Sequence, residues 1–242
     1  DNLILRKHLG QGGHGVFIKD GAIFLAHRDD IKYLVKVKDI PATLGGRARH
    51  NIQNALAAAA ACWALGVPLR VIARALREFE CNETHNPGRM NIMEMEGFQV
   101  MLDYAHNPAG LEAAINTAKL LKPTRMVGII ASPGDRRDQD IIALGYIAGK
   151  GFQRLIIKED KDLRNRKPGE VANLLMRGAL SAGLKKEKIE IILQEEEAIA
   201  RGIENALEGD LIAIFYEDYD TAISTIRKSV SKVSKVTGAV SI

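Results

Sequence analysis

The stretch DYAHNPAG, Asp103 to Gly110, carries side chains that can do chemistry just ahead of a helix start. It follows the apolar run QVML, which is typical of a strand, and precedes LEAAINTAKLL, which is typical of a helix. Asn107 as N-cap and Pro108 at the first helical position are sufficient for the strand-to-helix turn. The turn does not need the Asp, Tyr and His that come before the cap, so these three residues are candidates for binding or catalysis.

Two carboxamide side chains lie three residues apart in the stretch RHNIQN. Asn51 and Asn54 fall near a predicted helix start and therefore share one helix face. Two neighbouring amides offer donors and acceptors together, which suits the edge of a heterocycle such as adenine. In the alternative interpretation Asn51 caps the helix and Asn54 is simply solvated. Spacing alone leaves both interpretations open.

A single arginine stands out in the turn-rich segment CNETHNPGR, Cys81 to Arg89, which we interpret as a linker between two domains. A guanidinium at such a position is able to bind a phosphate through charge-assisted hydrogen bonds. Arg89 is therefore a phosphate-binding candidate, although an arginine in a linker is also often only solvated.

The elements that must position these residues follow from apolar patterning. After the linker, MNIMEMEGFQVMLD predicts a hairpin that turns at Glu96-Gly97. Apolar runs then alternate with helical segments; strands are predicted at 125–131, 154–158, 189–193 and 210–215, and helices at 139–150, 169–181, 195–207 and from 219. Strands that are apolar throughout and separated by helices indicate a mostly parallel sheet covered on both faces, a Rossmann-like α/β domain.

Polar segments follow several of these strands. SPGDRRD (132–138), EDKDLRNRKPG (159–169) and YEDYD come directly after predicted strands, as DYAH does. In open parallel sheets, ligands bind beyond the carboxyl ends of the strands, so the four segments predict one binding rim rich in Asp, Arg and His. A rim that is merely solvated would also be polar, and that alternative stays open.

The amino-terminal third has a different pattern. Residues 16–26 predict a hairpin around Asp20-Gly21, and helices are predicted over 48–65 and after Pro68. GQGGHG, residues 10–15, matches G-x-G-x-x-G, but a hairpin follows it instead of the required helix, so we interpret it as a loop. The 242 residues contain no P-loop motif and no C-x-x-C or H-E-x-x-H pattern.

Composition sets the broad class. Of the 242 residues, 46% are hydrophobic and 26% charged, enough for a sizeable core, and the formal net charge is +4. The charge excess is small and lacks interleaved aromatic residues, which disfavours a nucleic-acid partner. No apolar run reaches a membrane span of about 18 residues. The two cysteines predict a reducing cytoplasm, and a start at Asp instead of Met hints at a portion of a longer protein.

The segments RHNIQNALAAAAA, NPGRMN, DYAHNPAG and SPGDRRD, in this order and spacing, resemble the Mur ligase superfamily. These are ATP-dependent amide ligases of peptidoglycan precursors, folylpolyglutamate and cyanophycin, and IIKEDKDLRNRKPGEVA looks like the form found in the cyanophycin synthetases. The resemblance implies that residues 1–84 end a Mur-type central, ATP-binding domain and that 85–242 form the Rossmann-like carboxy-terminal domain. It places the family's P-loop and Mg²⁺ ligands upstream of Asp1, so we expect this chain to be inactive alone.

Motif by motif, the resemblance implies roles for individual residues. Asn54 would contact adenine, Arg89 the nucleotide phosphates and Asp103 the ribose. Asn51 and His106 would be neighbours of the nucleotide, with His106 toward the phosphate and acyl side; Arg89 and His106 are the expected catalytic residues. The family holds the acceptor amine on its carboxy-terminal domain, and the acidic and basic candidates for that side are Asp135, Arg136, Glu159, Asp160 and Arg164.

The implied reaction uses ATP and Mg²⁺ to convert a carboxylate into an acyl phosphate, which an amine then displaces. For a cyanophycin synthetase the carboxylate is the β-carboxyl of a poly-aspartate backbone and the amine is that of arginine. The expected partners are arginine and an acidic polymer, with no nucleic acid or membrane, and a homo-oligomer as the full-length enzyme. The alternatives are another Mur-type ligase, using glutamate or a peptidoglycan amino acid, and a non-catalytic nucleotide- or partner-binding module.

Overall fold

A computed structural model describes the backbone of residues 2–238 and the side chains of residues 2–232. The chain divides into two compact units, Asp1–Cys81 and Asn82–Ile242. The boundary drawn from the sequence lies at 84/85. The segment that begins at Asn82 belongs to the second unit, where Glu83 pairs with Arg227 at 2.7 Å.

The first unit combines three α-helices with a small antiparallel sheet. Its elements are α1 (Leu3–Gly10), β1 (His14–Lys19), β2 (Ala22–His27), β3 (Asp30–Lys36), α2 (Arg49–Ala64) and α3 (Leu69–Glu78), with strand order β1-β2-β3. Ile23 and Val35 from the sheet and Ala59 and Ile72 from the helices form its buried core. The predicted hairpin turn and both predicted helices are confirmed, whereas α1 and β3 had not been predicted.

The second unit is a six-stranded sheet with helices on both faces. Its elements are β4 (Asn91–Glu94), β5 (Gln99–Asp103), α4 (Pro108–Leu120), β6 (Arg125–Ile130), α5 (Asp138–Gly151), β7 (Arg154–Ile157), α6 (Glu170–Ser181), β8 (Ile189–Ile191), α7 (Glu195–Glu204), β9 (Asp210–Phe215) and α8 (Tyr219–Gly238). The strand order is β4-β5-β9-β6-β7-β8, in which β4 is antiparallel to β5 and every other pair is parallel. The predicted Rossmann-like fold is confirmed.

The apolar strands of this sheet are buried on both faces because successive side chains point to opposite sides. Met101 of β5 packs into the cluster formed with α4, α5 and α6, and its neighbours Val100 and Leu102 pack into the cluster formed with α7 and α8. Both faces thus need apolar residues. This explains why the sequence shows continuous apolar runs instead of alternation.

The parallel arrangement brings the carboxyl ends of β5, β9, β6 and β7 to one edge of the sheet. The loops that follow these four strands therefore start close together. Across the part of the chain that the structure describes, none of the helices combines the length and the apolar character that crossing a membrane requires.

Candidate functional site

A cavity of about 210 Å³ lies beyond the carboxyl ends of β5, β6, β7 and β9. Each of the four loops contributes to its wall. The lining residues are Tyr104, Ala105, His106, Ala131, Pro133, Asp135, Arg136, Asp160, Arg164, Phe215, Tyr216 and Glu217. The polar segments that the sequence marked after these strands thus meet at one cavity.

Asp103 is the last residue of β5, and its side chain fixes the loop that follows the strand. Its side chain is only 8% exposed, and its two carboxylate oxygens accept the backbone N–H groups of Ala105 at 2.8 Å and Met90 at 2.9 Å. The expectation that the strand-to-helix turn does not need this Asp is wrong, because Asp103 fixes both the turn and the neighbouring segment. A carboxylate has about four acceptor positions, so one Asp103 side chain can hold both segments together.

The predicted cap of α4 is confirmed. Asn107 accepts the N–H of Gly110 at 2.9 Å through its side chain, and Pro108 is the first helical residue. The cap holds the loop from Tyr104 to His106 at the start of a helix, where partial positive charge accumulates.

Arg89 sits in a tight turn of the second unit, not in a free linker. The preceding Gly88 has φ of +71°, and a Cβ there would lie 1.9 Å from the Tyr216 hydroxyl oxygen, so only glycine fits. Tyr216 donates a hydrogen bond to the carbonyl of Gly88 at 3.2 Å. The exposed Arg89 guanidinium then lies over the Tyr104 ring, 5.0 Å from its centroid. A cation is thereby fixed at the mouth of the DYAH loop.

His106 and two tyrosines form an aromatic wall. The Tyr104 ring lies 5.1 Å from that of His106 and 5.4 Å from that of Tyr216. His106 Nδ1 is 3.0 Å from the carbonyl oxygen of Tyr104, which orients the imidazole. Burial raises the pKa of Tyr216 above its ordinary value, and the nearby Arg89 acts in the opposite direction. Tyr216 is therefore held neutral as a hydrogen-bond donor.

The loops after β6 and β7 pack directly on each other. A Cβ on Gly134 would lie 2.3 Å from the carbonyl oxygen of Leu163, so these backbones approach as closely as glycine permits. Arg166, 16% exposed, donates to the carbonyls of Gly134 and Arg136, each at 2.7 Å. Arg166 thus fixes the loop that presents Asp135 to the cavity.

Arg164 occupies a strained position at the cavity rim. Its φ of +48° lies in the left-handed region, which a non-glycine residue adopts at a cost of about 1–3 kcal/mol. Its guanidinium lies 2.6 Å from the carboxylate of Asp162 and 3.6 Å from that of Asp135. The two ion pairs hold a cation beside acidic groups at the rim.

Asp160 and Glu217 add two carboxylates to the cavity wall. Burial raises the pKa of Asp160 above its ordinary value; Lys158 opposes this rise, and Glu217 and Glu195 add to it. With Arg136 and Arg164 on the same wall, the cavity offers both signs of charge. Such a cavity is suited to a small molecule that carries a cationic group and a carboxylate.

Glu159 is placed differently from the other substrate-side candidates. Its side chain is buried, and its two oxygens accept the N–H groups of Gly169 at 2.8 Å and Ala172 at 3.0 Å, at the start of α6. It does not line the cavity. The structure thus gives this carboxylate a helix-capping role, because a buried carboxylate takes the strongest donors within reach.

We predict that Glu159→Gln lowers the free energy of unfolding by about 1–3 kcal/mol, because one capping N–H loses its charged acceptor. Urea denaturation followed by circular dichroism measures this, with the exposed Glu187→Gln as matched control. Ligand affinity at the cavity should not change. If the variant kept its stability but no longer bound the amino acid, Glu159 would be a substrate-binding residue instead.

Asn51 and Asn54 are neighbours within the first unit, as their spacing predicts. Asn54 Nδ2 donates to Asn51 Oδ1 at 3.3 Å, and Asn51 Nδ2 donates to the carbonyl of Ala42 at 2.7 Å. The residue at the N-cap of α2 is Ala48, so the alternative that Asn51 caps this helix is wrong. Asn54 is exposed and keeps its own carbonyl oxygen for another donor.

Three contributors to the second unit's site had escaped the sequence analysis. Tyr216 and Glu217 belong to the polar segment after β9, whose position had been noted without individual roles. Lys158 is fully buried although it ends an apolar run. A polar residue at the carboxyl end of a buried strand is the signal that would have found each of them.

The family resemblance implies that a metal ion and a nucleotide bind, and the side chains present suit these two ligands to different degrees. Among the residues that the structure describes, His, Cys, Asp and Glu side chains form no group of three arranged to hold a metal ion. Arg89 is exposed beside an aromatic ring and suits a phosphate, and Asn54 suits a base edge. Each of these two side chains, within its own unit, has the chemistry that one part of a nucleotide requires.

Comparison with known proteins agrees with this geometry. A family model described as Mur ligase, glutamate ligase domain, matches residues 88–215. Cyanophycin synthetase of Crocosphaera subtropica is 39% identical over 228 residues, which cover 94% of this chain and 26% of that protein. The chain spans about a quarter of the length of the cyanophycin synthetases that it matches.

More distant relatives share the architecture. The UDP-N-acetylmuramoyl-L-alanyl-D-glutamate–2,6-diaminopimelate ligase of Clostridium botulinum is 30% identical over 177 residues, 71% of this chain and 35% of that protein. The crystal structure of a murein peptide ligase from Psychrobacter arcticus aligns with a TM-score of 0.60 at 19% identity, over 90% of this chain and 44% of that one. The structural likeness, at that identity, concerns the fold alone.

Proposed function

Because the chain belongs to the Mur ligase family, we propose that it forms part of an ATP-dependent amide ligase that joins arginine to the β-carboxyl of a poly-aspartate backbone. The 39% identity to a cyanophycin synthetase supports this choice of substrates. The observation that carries the proposal is the convergence of four loops of mixed charge on one cavity at the carboxyl edge of the sheet.

On the amine side, the cavity charges suit arginine. Arginine brings a guanidinium, an α-carboxylate and the amine that attacks. Asp160, Glu217 and Asp135 supply negative charge for the guanidinium, and Arg164 or Arg136 can bind the carboxylate through a bidentate contact. This division of charges holds the α-amine in a defined orientation toward the acyl carbon. Orienting two reacting groups in this way accelerates the reaction.

The proposed chemistry balances in two steps. An oxygen of the β-carboxylate attacks the γ-phosphorus of ATP, ADP leaves, and an acyl phosphate forms. The neutral α-amine of arginine then attacks the acyl carbon, the amide C–N bond forms, the C–O bond to phosphate breaks, and the amine loses a proton. His106, oriented by the Tyr104 carbonyl at the cavity wall, is the candidate to take that proton.

On the nucleotide side, we assign phosphate binding to Arg89, ribose contact to Asp103 and base contact to Asn54, with Asn51 supporting Asn54. Arg89 stabilises the negative charge on the phosphates while the γ-phosphoryl group is transferred. When bound, Mg²⁺ would neutralise further phosphate charge, and its ligands are not assigned to this chain. A cytoplasmic location belongs to the same proposal, since Cys62 and Cys81 form no disulfide in the part of the chain that the structure describes, which suits a reducing compartment.

A second Mur-type activity has its own support, the 30% identity to a diaminopimelate ligase. Diaminopimelate also carries cationic and carboxylate groups, so charge alone does not separate the two amines. The ends of the two side chains do, because the planar guanidinium of arginine can pair bidentately with Asp160 or Glu217, whereas diaminopimelate ends in an ammonium and a second carboxylate that these acidic groups would repel.

We predict that the product of the complete gene releases phosphate from ATP when poly-aspartate and arginine are both present, and at least about tenfold more slowly when glutamate, lysine or diaminopimelate replaces arginine, since the loss of one charge-assisted contact is worth about 1.5–3 kcal/mol. A coupled phosphate assay over the four amines measures this. A preference for diaminopimelate would select the second activity, and no phosphate release with any of the amines would favour a non-catalytic binding module.

A further inference from the structure

Lys158 is a fully buried lysine at the carboxyl end of β7, next to the cavity wall. Its Nζ lies 2.6 Å from Glu195 Oε2 and 3.7 Å from Asp160 Oδ1. Removing two charges from water is unfavourable unless their pairing is close and supported by further hydrogen bonds. An apolar residue would fill this position at the end of an apolar strand without that penalty, so the charge itself needs a reason.

The partner of Lys158 connects two of the cavity loops. Glu195, buried at the start of α7, accepts the N–H of Glu217 at 2.8 Å, just after β9. Glu217 in turn accepts the N–H of Lys161 at 2.8 Å, in the loop after β7. The buried ion pair and these two hydrogen bonds link the loops after β7 and β9, which carry Asp160 and Glu217 on the cavity wall.

We propose that Lys158 is a positioning residue of the amine site: held by Glu195, it keeps the Asp160 carboxylate ionised and fixed on the cavity wall, so that the site accepts a cationic amino acid. The inference rests on the proposed function, since it assumes that the cavity binds arginine. Lys158 does not line the cavity and acts through Asp160.

The charges around Asp160 support this assignment. Its own burial, with a side chain 20% exposed, raises its pKa and favours the neutral acid. Lys158 opposes that rise, and Glu217 and Glu195 add to it. The other titratable or charged side chains on the cavity wall are Tyr104, His106, Asp135, Arg136, Arg164 and Tyr216. Without the lysine charge, burial and the two carboxylates of Glu217 and Glu195 would favour protonation of Asp160.

The test uses the 242-residue chain and the variant Lys158→Met, which removes the charge and keeps most of the length of the side chain. Carbon-detected NMR of the aspartate carboxyls follows Asp160, identified by its loss in Asp160→Asn. We expect the midpoint of its titration to rise by about 1–3 pH units in Lys158→Met, the effect of losing an opposite charge at this distance. Lys161→Met, at an exposed lysine in the same loop, is the matched control and should leave the midpoint unchanged.

Calorimetric titration with arginine gives the second readout. At a pH between the wild-type and variant midpoints found by NMR, where Asp160 is protonated only in the variant, the affinity of Lys158→Met should fall by up to about tenfold, and it should return to within about twofold of the wild type at pH 8.5. An equal loss at both pH values would mean a structural role and would overturn the proposal, as would an unchanged Asp160 titration. If the wild type binds no arginine at either pH, the proposed function fails, and the NMR arm still decides whether Lys158 keeps Asp160 ionised.

A buried glutamate left without its lysine is able to prevent folding. In that case the double variant Lys158→Met/Glu195→Gln replaces both charges. Because Lys158 acts on Asp160 more strongly than Glu195 does, the midpoint should still rise, by less than the removal of Lys158 alone would give. An unchanged or lowered midpoint in the double variant would overturn the proposal.

Discussion

Replacing Arg89 by alanine is expected to reduce kcat/KM of the active ligase by about 10- to 150-fold, which corresponds to the loss of one charge-assisted contact of about 1.5–3 kcal/mol. The Arg89 side chain is exposed and lies over the Tyr104 ring, and it fills no core position. The free energy of unfolding should therefore change by less than about 1 kcal/mol. Steady-state kinetics and urea denaturation of the same variant separate the two effects.

Two variants make this result specific to the phosphate contact. Arg177, exposed on α6, is the matched control, and Arg177→Ala should leave kcat/KM unchanged. Arg89→Lys keeps the charge but not the planar fork, so its activity should fall between those of the wild type and the alanine variant. Wild-type kinetics in Arg89→Ala would show that Arg89 is only a solvated residue of the turn.

The second large effect concerns the 242-residue chain by itself, which should fold but show no ligation. Asn54, Arg89 and Asp103 are assigned to base, phosphate and ribose, but the backbone N–H cradle and lysine of a P-loop are not encoded in these residues. Each missing contact to a charged phosphate is worth about 1.5–3 kcal/mol, so Mg-ATP should bind only in the millimolar range.

Calorimetric titration with Mg-ATP and a phosphate-release assay with poly-aspartate and arginine measure this. The product of the complete gene, treated in the same way, is the control for the assay conditions. Micromolar ATP binding or turnover by the 242 residues would mean that the nucleotide site is complete within them, and the assignment of its remaining parts outside them would be wrong.

The sheet could be predicted from sequence because its physical cause is local. Strands buried on both faces must be apolar throughout, and the segment Asp210–Phe215 shows this so clearly that its predicted limits agree with the structure. The capping of α4 by Asn107 and Pro108 is equally local. The position of the binding rim followed from these strands by the general rule for parallel sheets.

What could not be predicted depends on contacts between segments distant in sequence. The strand Asp30–Lys36 carries mixed polar and apolar residues, and its pairing with the preceding strand decides its conformation. Glu159 looked like a residue for substrate, but its two backbone partners come from a helix that begins ten or more residues later. Lys158 became distinctive only when the fold placed Glu195 beside it.

The central claim, amide formation through an acyl phosphate with arginine as the amine, is tested most directly by isotope transfer. Poly-aspartate labelled with ¹⁸O in its β-carboxylates is incubated with the product of the complete gene, ATP, Mg²⁺ and arginine, and the released phosphate is analysed by mass spectrometry. The carboxylate oxygen that attacks the γ-phosphorus leaves with the phosphate when the amine displaces it. The account predicts one ¹⁸O atom in each phosphate released per amide bond; amide formation with unlabelled phosphate would contradict it.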